Sequence, residues 1–235
     1  MAFDFSKIKL IMAPMEGYTD VRFRLLCKHY GADLVYSERI NANAIVRGNK
    51  SALKTMEMSE AERPIAMQIF GGKIDVMVKA AKMLEEKADI IDLNMGCPAK
   101  NSIKIGACAA LLAKPLKIKE MVEAVVSAVN KPVTVKIRAD NCLRNALIIQ
   151  DAGASAIALH ARYTKDGYSG RADWDLIKAV KKELKIPVFG NGDIRKAEDA
   201  IEMLKIADAA MIGRAAVKYP KIFLEAKELM KKNSD

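Results

Sequence analysis

A cysteine at the end of an apolar run is the residue with the clearest potential for chemistry. The run that begins at Ile90 predicts a buried β-strand, and Gly96, Cys97 and Pro98 follow its end. Gly96 allows close backbone approach and Pro98 restricts the chain beside the thiol, so the segment presents a thiol at a strand tip. We interpret Cys97 as functional, although many cysteines are only small buried hydrophobes, an interpretation that fits Cys27 better.

Two glycine-containing loops follow the last two predicted strands. One reads Gly190-Asn191-Gly192-Asp193 and the other Gly213-Arg214. Barrels of alternating strands and helices commonly hold phosphate with these two loops, through backbone N–H groups and a helix N-terminus. Either loop alone is also consistent with ordinary turn geometry. Together they make a candidate phosphate site.

Three polar side chains at other predicted strand ends offer an amide, a cation and an imidazole. They are Gln68, Lys136 and His160, from the third, fifth and sixth strands. C-terminal strand ends converge at the mouth of a barrel, where these groups could bind a polar ring. The alternatives are a histidine hydrogen-bonded at a strand end and a lysine that extends to solvent.

The elements that must position these groups alternate along the chain. Eight short apolar runs predict strands at Lys9–Ala13, Ala32–Tyr36, Ile65–Ile69, Ile90–Leu93, Val133–Ile137, Ala156–Leu159, Pro187–Phe189 and Ala209–Ile212. Such a pattern fits a parallel barrel or an open doubly wound sheet, and the strand count and chain length favour the barrel. The prediction is an α/β protein, a (β/α)8 TIM barrel, with residues 1–235 as one domain.

Helical patterns separate most of the predicted strands. They cover Asp20–Lys28, Ile74–Lys87, Ile118–Val129, Cys142–Asp151, Asp173–Leu184, Lys196–Leu204 and Val217–Lys232. In the second unit, Asn41–Lys50 fits either a short helix or an extended loop. These spans fit helices that cross from one parallel strand to the next.

Composition narrows the class of protein. The 235 residues carry 39 basic and 29 acidic side chains, a net charge of +10 that favours phosphate-bearing partners or simply a solvated surface. A helical set of lysines illustrates the second reading: Lys178, Lys181, Lys182 and Lys185. No long uncharged stretch predicts a membrane span, and the N-terminal residues do not resemble a signal peptide, so we expect a cytoplasmic protein.

The cysteine pattern predicts thiols. The four cysteines show no CxxC pairing, which supports neither a metal site nor a disulfide framework. Cys108 lies in a Gly-Ala-Cys-Ala-Ala setting and is interpreted as a packed small residue, so its alanine variant should be active.

Ordered motifs across the whole chain resemble the tRNA-dihydrouridine synthases. They are Ala13-Pro14-Met15-Glu16-Gly17-Tyr18-Thr19-Asp20 with Phe23-Arg24, Gln68-Ile69-Phe70-Gly71, Asp92-Leu93-Asn94-Met95-Gly96-Cys97-Pro98, Val135-Lys136-Ile137-Arg138, His160-Ala161-Arg162, Tyr168-Ser169-Gly170, Ala172-Asp173-Trp174, Gly190-Asn191-Gly192-Asp193-Ile194 and Ile212-Gly213-Arg214. The Asn-Met-Gly-Cys-Pro segment alone also resembles dihydroorotate and dihydropyrimidine dehydrogenases. The order and spacing of the full set favour the synthases.

The resemblance implies an FMN-binding barrel that reduces the 5,6 double bond of uracil in tRNA, with NADPH or NADH as reductant. Reduced flavin N5 would deliver hydride to C6 while Cys97 protonates C5, and an ordinary cysteine pKa near 8.5 would suit that acid. The implied cofactor residues are Pro14, Met15, Gln68, Lys136, His160, Asn191, Gly192, Asp193, Gly213 and Arg214. The implied substrate residues are Asn94, Lys100, Arg138 and Arg162.

Two departures from the family pattern bear on the substrate. Family members usually continue into a helical domain that grips tRNA, whereas this sequence ends a short helix after Gly213-Arg214, and the stretch from Ala139 to Arg144 is short. We expect another surface, or a partner protein that replaces this domain, to hold the RNA. The alternatives are an FMN-dependent reductase or dehydrogenase of a free pyrimidine or similar small molecule, and a non-catalytic RNA- or protein-binding barrel.

Overall fold

A closed barrel of parallel strands forms the centre of the computed structural model, which describes residues 3–232. The strands are β1 (Leu10–Met12), β2 (Leu34–Tyr36), β3 (Ile40–Asn41), β4 (Ile65–Phe70), β5 (Ile90–Asn94), β6 (Val133–Arg138), β7 (Ala156–His160), β8 (Val188–Asn191) and β9 (Ala209–Ile212). The two-residue β3 pairs with β4 beside the ring. The other eight strands form the ring itself.

Parallel pairing continues around the whole ring. The strand order is β2-β1-β9-β8-β7-β6-β5-β4, and a pairing of β2 with β4 closes it. The first strand therefore lies beside the last, with Leu10 opposite Ala210. Because every strand runs in the same direction, all C-terminal strand ends lie at one mouth of the barrel.

Helices connect the strands. The α-helices of the described residues are α1 (Val21–His29), α2 (Ala42–Val46), α3 (Lys50–Lys54), α4 (Ile74–Leu84), α5 (Lys100–Lys104), α6 (Pro115–Val126), α7 (Cys142–Asp151), α8 (Trp174–Glu183), α9 (Ala197–Leu204), α10 (Arg214–Lys218) and α11 (Ile222–Lys232). Short 3-10 helices cover Phe5–Lys7, Glu60–Glu62, Cys108–Leu111 and Thr164–Asp166. No helix within residues 3–232 has the length and apolar character needed to cross a membrane.

The core explains why sequence patterns locate these elements. Strands β4 and β5 are buried at every position, and strands covered on both faces require nearly continuous apolar runs. Helix α4 buries Met77, Ala80, Ala81 and Leu84, which share one helical face by their spacing. Polar residues interrupt the apolar pattern of β4 and β5 at Gln68, Asp92 and Asn94, all of which are buried.

The predicted (β/α)8 barrel is confirmed, with differences among the helices. The segment Asn41–Lys50, left open between helix and loop, contains α2. A single helix over Val217–Lys232 is wrong, because α10 ends before Pro220 and α11 begins after it. Proline lacks a backbone N–H and disfavours helical geometry in the residue before it, and Tyr219 is accordingly extended, with φ −149° and ψ 82°.

Candidate active site

A cavity of about 860 Å³ opens at the C-terminal mouth of the barrel. Ligand pockets typically occupy about 300–1,000 Å³. Most of the predicted site residues line it: Pro14, Met15, Gln68, Asn94, Cys97, Lys136, Arg138, His160, Arg162, Asn191, Gly192, Asp193, Gly213 and Arg214. Lys100 does not; it is the exposed first residue of α5.

The loop that carries Cys97 is fixed by the last residue of β5. The Asn94 side-chain oxygen accepts hydrogen bonds from the backbone N–H groups of Gly96, at 3.1 Å, and Cys97, at 3.0 Å. A Cβ on Gly96 would lie 3.0 Å from the carbonyl carbon of Ile137, so glycine is needed for the close approach to β6. Cys97 is partly buried and faces the cavity.

A buried polar network lies beneath this loop. The Asn94 amide donates to Gln68 Oε1 at 2.8 Å, and Gln68 Nε2 donates to Asp92 Oδ2 at 2.7 Å. The Thr134 hydroxyl donates to Asp92 Oδ1 at 2.5 Å. These bonds fix both ends of the Gln68 amide and, through Asn94, the loop of Cys97.

Asp92 accepts two hydrogen bonds at the base of this network, and the sequence analysis assigned it no role in the site. It is fully buried, and burial raises its pKa to about 7, although the bonds from Thr134 and Gln68 favour the carboxylate. A signal was available: an acidic residue in an otherwise apolar strand, two positions before Asn94 and therefore on the same face.

Lys136 is held by Asn191, the last residue of β8. Its ammonium donates to Asn191 Oδ1 at 3.0 Å, and the Asn191 amide donates in turn to the Met211 carbonyl at 2.8 Å. Burial and the nearby Arg138 lower the pKa of Lys136 to about 8, and Asp92 opposes the shift. The Asn191 side chain thus fixes a cation that stays mostly protonated at neutral pH.

His160 is neutral. Burial, and then the positive charges of Lys136, Arg138, Arg162 and Arg214, lower its pKa to about 2. Arg162 Nη1 lies 3.2 Å from His160 Nε2, and a guanidinium can only donate, so Nε2 accepts and the ring proton belongs on Nδ1.

The arginines predicted to contact substrate are both 2% exposed, with guanidinium groups that bind the protein itself. Arg138 donates to the carbonyls of Tyr163 and Gly167 at 3.1 and 2.7 Å. Arg162 donates to the carbonyls of Ser169 and Gly170 at 3.1 and 3.0 Å. Both therefore hold the loop that follows β7. The exposed Tyr168 ring of that loop lies 5.5 Å from the guanidinium carbon of Arg138 and 5.8 Å from that of Arg214.

The loop after β8 is organised by Asp193, which adopts a positive φ of 54°. Its carboxylate accepts from Arg162 at 2.5 Å and from the Ala172 N–H at 2.7 Å. Burial opposes ionisation, but these bonds outweigh it and lower the pKa of Asp193. In contrast, the Arg214 side chain is 52% exposed and its guanidinium lies 3.9 Å from Asp193.

The loop after β1 brings Pro14 and Met15 to the cavity beside the loop after β9. The Met15 backbone N–H lies 3.2 Å from the Thr19 hydroxyl oxygen, and the Met15 carbonyl accepts from the Thr19 N–H at 3.0 Å. Arg24 is buried beneath this turn, where it donates to the Thr19 carbonyl at 2.7 Å and to Glu62 at 2.8 Å. A buried ion pair thus anchors the turn.

Three residues beside Cys97 were given no site role in the sequence analysis: Glu16, Arg39 and Cys108. Arg39 forms an ion pair with Glu16 at 2.7 Å. The neighbouring Cys108 thiol, followed by backbone bonding and the charge of Arg39, outweighs burial and lowers the pKa of Cys97 below its ordinary value. The structure thus differs from the expected ordinary pKa: a lowered pKa makes Cys97 a stronger acid but leaves less of its thiol protonated at neutral pH.

A family model and three similar proteins all indicate the same family. The model of the Dihydrouridine synthase (Dus) family matches residues 11–235. The tRNA-dihydrouridine synthase B of Pseudomonas putida is 42% identical over 232 residues, which cover 94% of this chain and 68% of that protein. The Vibrio parahaemolyticus protein of the same name is 44% identical, over 93% of this chain and 71% of its own length. A probable tRNA-dihydrouridine synthase of Aquifex aeolicus is 38% identical, over 96% and 74%.

Solved structures share the fold at low sequence identity. Histamine dehydrogenase from Rhizobium sp. 4-9 aligns with a TM-score of 0.65 and 14% identity, over 95% of this chain and 42% of its own. The BexX/CysO complex of Amycolatopsis orientalis aligns with a TM-score of 0.63 and 16% identity, over 96% of this chain and 91% of the matched chain. At these identities the likeness describes the barrel alone.

Proposed function

Because this chain belongs to the dihydrouridine synthase family, we propose that it binds FMN at the barrel mouth and reduces the C5–C6 bond of uridine in tRNA. The observation that carries the proposal is the convergence on one cavity of the Cys97 thiol, the Lys136 ammonium, the Gln68 amide and the His160 imidazole. These groups come from four different barrel strands or the loops that follow them, as in barrel enzymes generally.

The cavity fits a phosphorylated flavin. Gly213 lines it, and a Cβ there would make only ordinary contacts, 3.5 Å from Met15 Sδ and 3.7 Å from Ala13 Cβ. The half-exposed Arg214 guanidinium has a long contact to Asp193 and lies near the Tyr168 ring, which leaves it available to a phosphate. Gly192 and Arg214 would hold the phosphate, while Pro14, Met15 and Gln68 would contact the ring.

Bound FMN supplies hydride for C6 of the pyrimidine. Cys97 donates the proton to C5, and the fixed loop directs its thiol to the cavity. Asn94 uses one amide N–H for Gln68 and its oxygen for two backbone groups, which leaves one N–H for a pyrimidine carbonyl.

Two further residues complete the polar contacts to the flavin. Lys136 places a positive charge where negative charge develops on the reduced ring system. His160 is neutral with its proton on Nδ1, so it supplies a hydrogen bond without competing as a proton donor of ordinary acidity.

The remaining assignments concern the reductant and the RNA. NADPH or NADH would reduce the flavin before tRNA enters, and the target base must leave its stack to reach the cavity. Lys100, exposed on α5, would contact RNA, and Arg138 and Arg162 would shape the rim through the loop they hold. We place the protein in the cytoplasm, with residues 1–235 acting as one domain.

Two measurements test the proposal. Denaturation of the purified protein should release one FMN per chain, and FAD, or no flavin after reconstitution with excess FMN, would contradict the cofactor assignment. Mapping of dihydrouridine in tRNA from cells with and without this gene should show loss of a defined site. If tRNA is not reduced in vitro while a free uracil derivative is, the small-molecule reductase replaces this proposal. A protein with neither activity would be a binding barrel.

A further inference from the structure

Cys108 has an unusual backbone conformation. Its φ is +54°, and the other non-glycine residues with positive φ in the described chain are Asn141 and Asp193, types that tolerate this region. A Cβ in the left-handed region costs about 1–2 kcal/mol. Strain of this kind persists only where the surroundings enforce it, and here the Ala109 N–H donates to the Cys97 carbonyl at 3.3 Å.

The strained backbone brings two thiols together. Cys108 is fully buried in a small apolar cluster with Phe70 and Ala107, and Cys97 packs against this cluster from the cavity side. The side chains of Cys97 and Cys108 are neighbours in this cluster, and each shifts the pKa of the other. The neighbouring Cys97 and burial both strongly raise the pKa of Cys108, so Cys108 keeps its proton and can offer it to Cys97.

A series of polar groups leads to Cys97. Arg39 Nη1 donates to the buried Ser102 hydroxyl oxygen at 2.7 Å, and a guanidinium has no acceptor. The Ser102 O–H therefore remains free to donate, and Ser102 lowers the pKa of Cys108. The protonated Cys108 in turn lies beside Cys97. Arg39 is itself held by Glu16, so the series begins at a fixed cation.

We propose that Cys108 is a positioning residue for Cys97, directing the Cys97 S–H toward the cavity and stabilising the thiolate that remains after proton transfer. This role rests on the proposed function of Cys97. In the step, the S–H bond of Cys97 breaks, a C5–H bond forms, and the electron pair stays on the Cys97 sulfur. Cys108 retains its proton, and solvent reprotonates Cys97 before the next turnover.

Other charges also act on Cys97. Arg39, from the loop after β2, and Lys136 and Arg138, from β6, favour its thiolate, and Glu16, from the loop after β1, opposes it. These groups remain when Cys108 is replaced. A shift in the titration of Cys97 on replacement of Cys108 therefore measures the thiol contact itself.

The test is the pH dependence of Cys97 alkylation by iodoacetamide in the purified protein, read by peptide mass spectrometry. Only the thiolate reacts, so the midpoint reports the Cys97 pKa. Cys108→Ala and Cys108→Gly should move the midpoint up by about one pH unit or more. Cys108→Ser keeps a donor and should fall between them and wild type. Cys142→Ala, which removes another buried thiol, should match wild type.

The glycine variant separates the thiol from the strain, because it removes both the side chain and the cost of the positive φ, and it provides a second variant if alanine does not fold. Midpoints equal to wild type in the alanine and glycine variants would overturn the proposal. If the midpoints move but Cys97→Ala reduces tRNA as fast as wild type, the catalytic role of Cys97 falls while the thiol contact stands.

Enzyme kinetics should show the same shift in the Cys97 pKa as the alkylation midpoints. In single-turnover oxidation of the reduced enzyme by tRNA, Cys108→Ala should be slower at low pH, because its Cys97 is a weaker acid. In a plot of this rate against pH, the fall in rate at high pH should occur at a higher pH for Cys108→Ala than for wild type. A Cys108→Ala profile that coincides with wild type would also count against the proposal.

Discussion

Asp92→Asn should change the pH dependence of stability. The folded pKa of Asp92 is about 7, against about 3.9 for an unfolded aspartate. A raised folded pKa means that the contribution of this carboxyl to stability is fully present below about pH 4 and is lost as pH rises through 7. The full difference of about 3 units corresponds to about 4 kcal/mol, of which about 2–3 kcal/mol falls between pH 5 and pH 8.

Asparagine cannot titrate, so the variant lacks this loss. The Asp92 carboxylate accepts hydrogen bonds from both Gln68 and Thr134, whereas the asparagine amide N–H can only donate and would face one of these donors. This mismatch should lower the unfolding free energy of the variant by about 1–3 kcal/mol at any pH. The difference in unfolding free energy between the two proteins should therefore move in favour of the variant by about 2–3 kcal/mol from pH 5 to pH 8.

Urea denaturation of the flavin-free proteins at pH 5, 6, 7 and 8 measures this difference. Glu123→Gln, at an exposed carboxyl of α6, controls for the loss of one negative charge. If the Asp92→Asn difference is constant across these pH values, Asp92 does not titrate in this range and the account of its burial is refuted.

Three further predictions concern catalysis, substrate and the cofactor loops. Cys97→Ala should leave FMN binding and flavin reduction by NADPH or NADH nearly intact while sharply slowing oxidation by tRNA, since the thiol acts only in the second half-reaction; equal turnover would remove Cys97 from the mechanism. Binding of tRNA should be modest and fall about tenfold or more between about 50 and 200 mM salt, and Arg162→Ala should weaken it more than Lys178→Ala on the outer helical face; filter binding that ranks them the other way would contradict the assignment. Gly192→Ala should lower the unfolding free energy by about 1–3 kcal/mol, because its Cβ would lie 2.7 Å from that of Ala172, whereas Gly17→Ala has the same sign of φ but meets nothing within 4 Å; equal losses in urea would show that only the backbone matters.

The strands could be located from the sequence because strands buried on both faces leave apolar runs, and the polar residues at their ends mark the mouth. The hydrogen-bond partners could not, because they depend on the register between strands distant in sequence. Gln68 meets Asp92 since β4 and β5 pair with these residues opposite each other.

The contacts of Arg138, Arg162 and Cys108 could not be predicted from the sequence for a different reason. Motifs placed Arg138 and Arg162 at the mouth but could not show that loop carbonyls occupy their N–H groups, since those carbonyls belong to irregular backbone. The contact of Cys108 with Cys97 requires a positive φ at Cys108, and a cysteine in a sequence does not predict that conformation.

The pairing of β1 with β9 has a consequence for biosynthesis. Residues 209–212 must leave the ribosome before β1 can pair with β9, so until then the ring stays open and exposes the hydrogen-bonding edge of β1. Met15 and Gly213 lie on the two sides of this junction. A ligand bound across them stabilises only the closed ring, by about 2.7 kcal/mol at a hundredfold excess over its dissociation constant. Because FMN is the ligand proposed here, flavin supply during expression should raise the share of newly made protein that escapes aggregation.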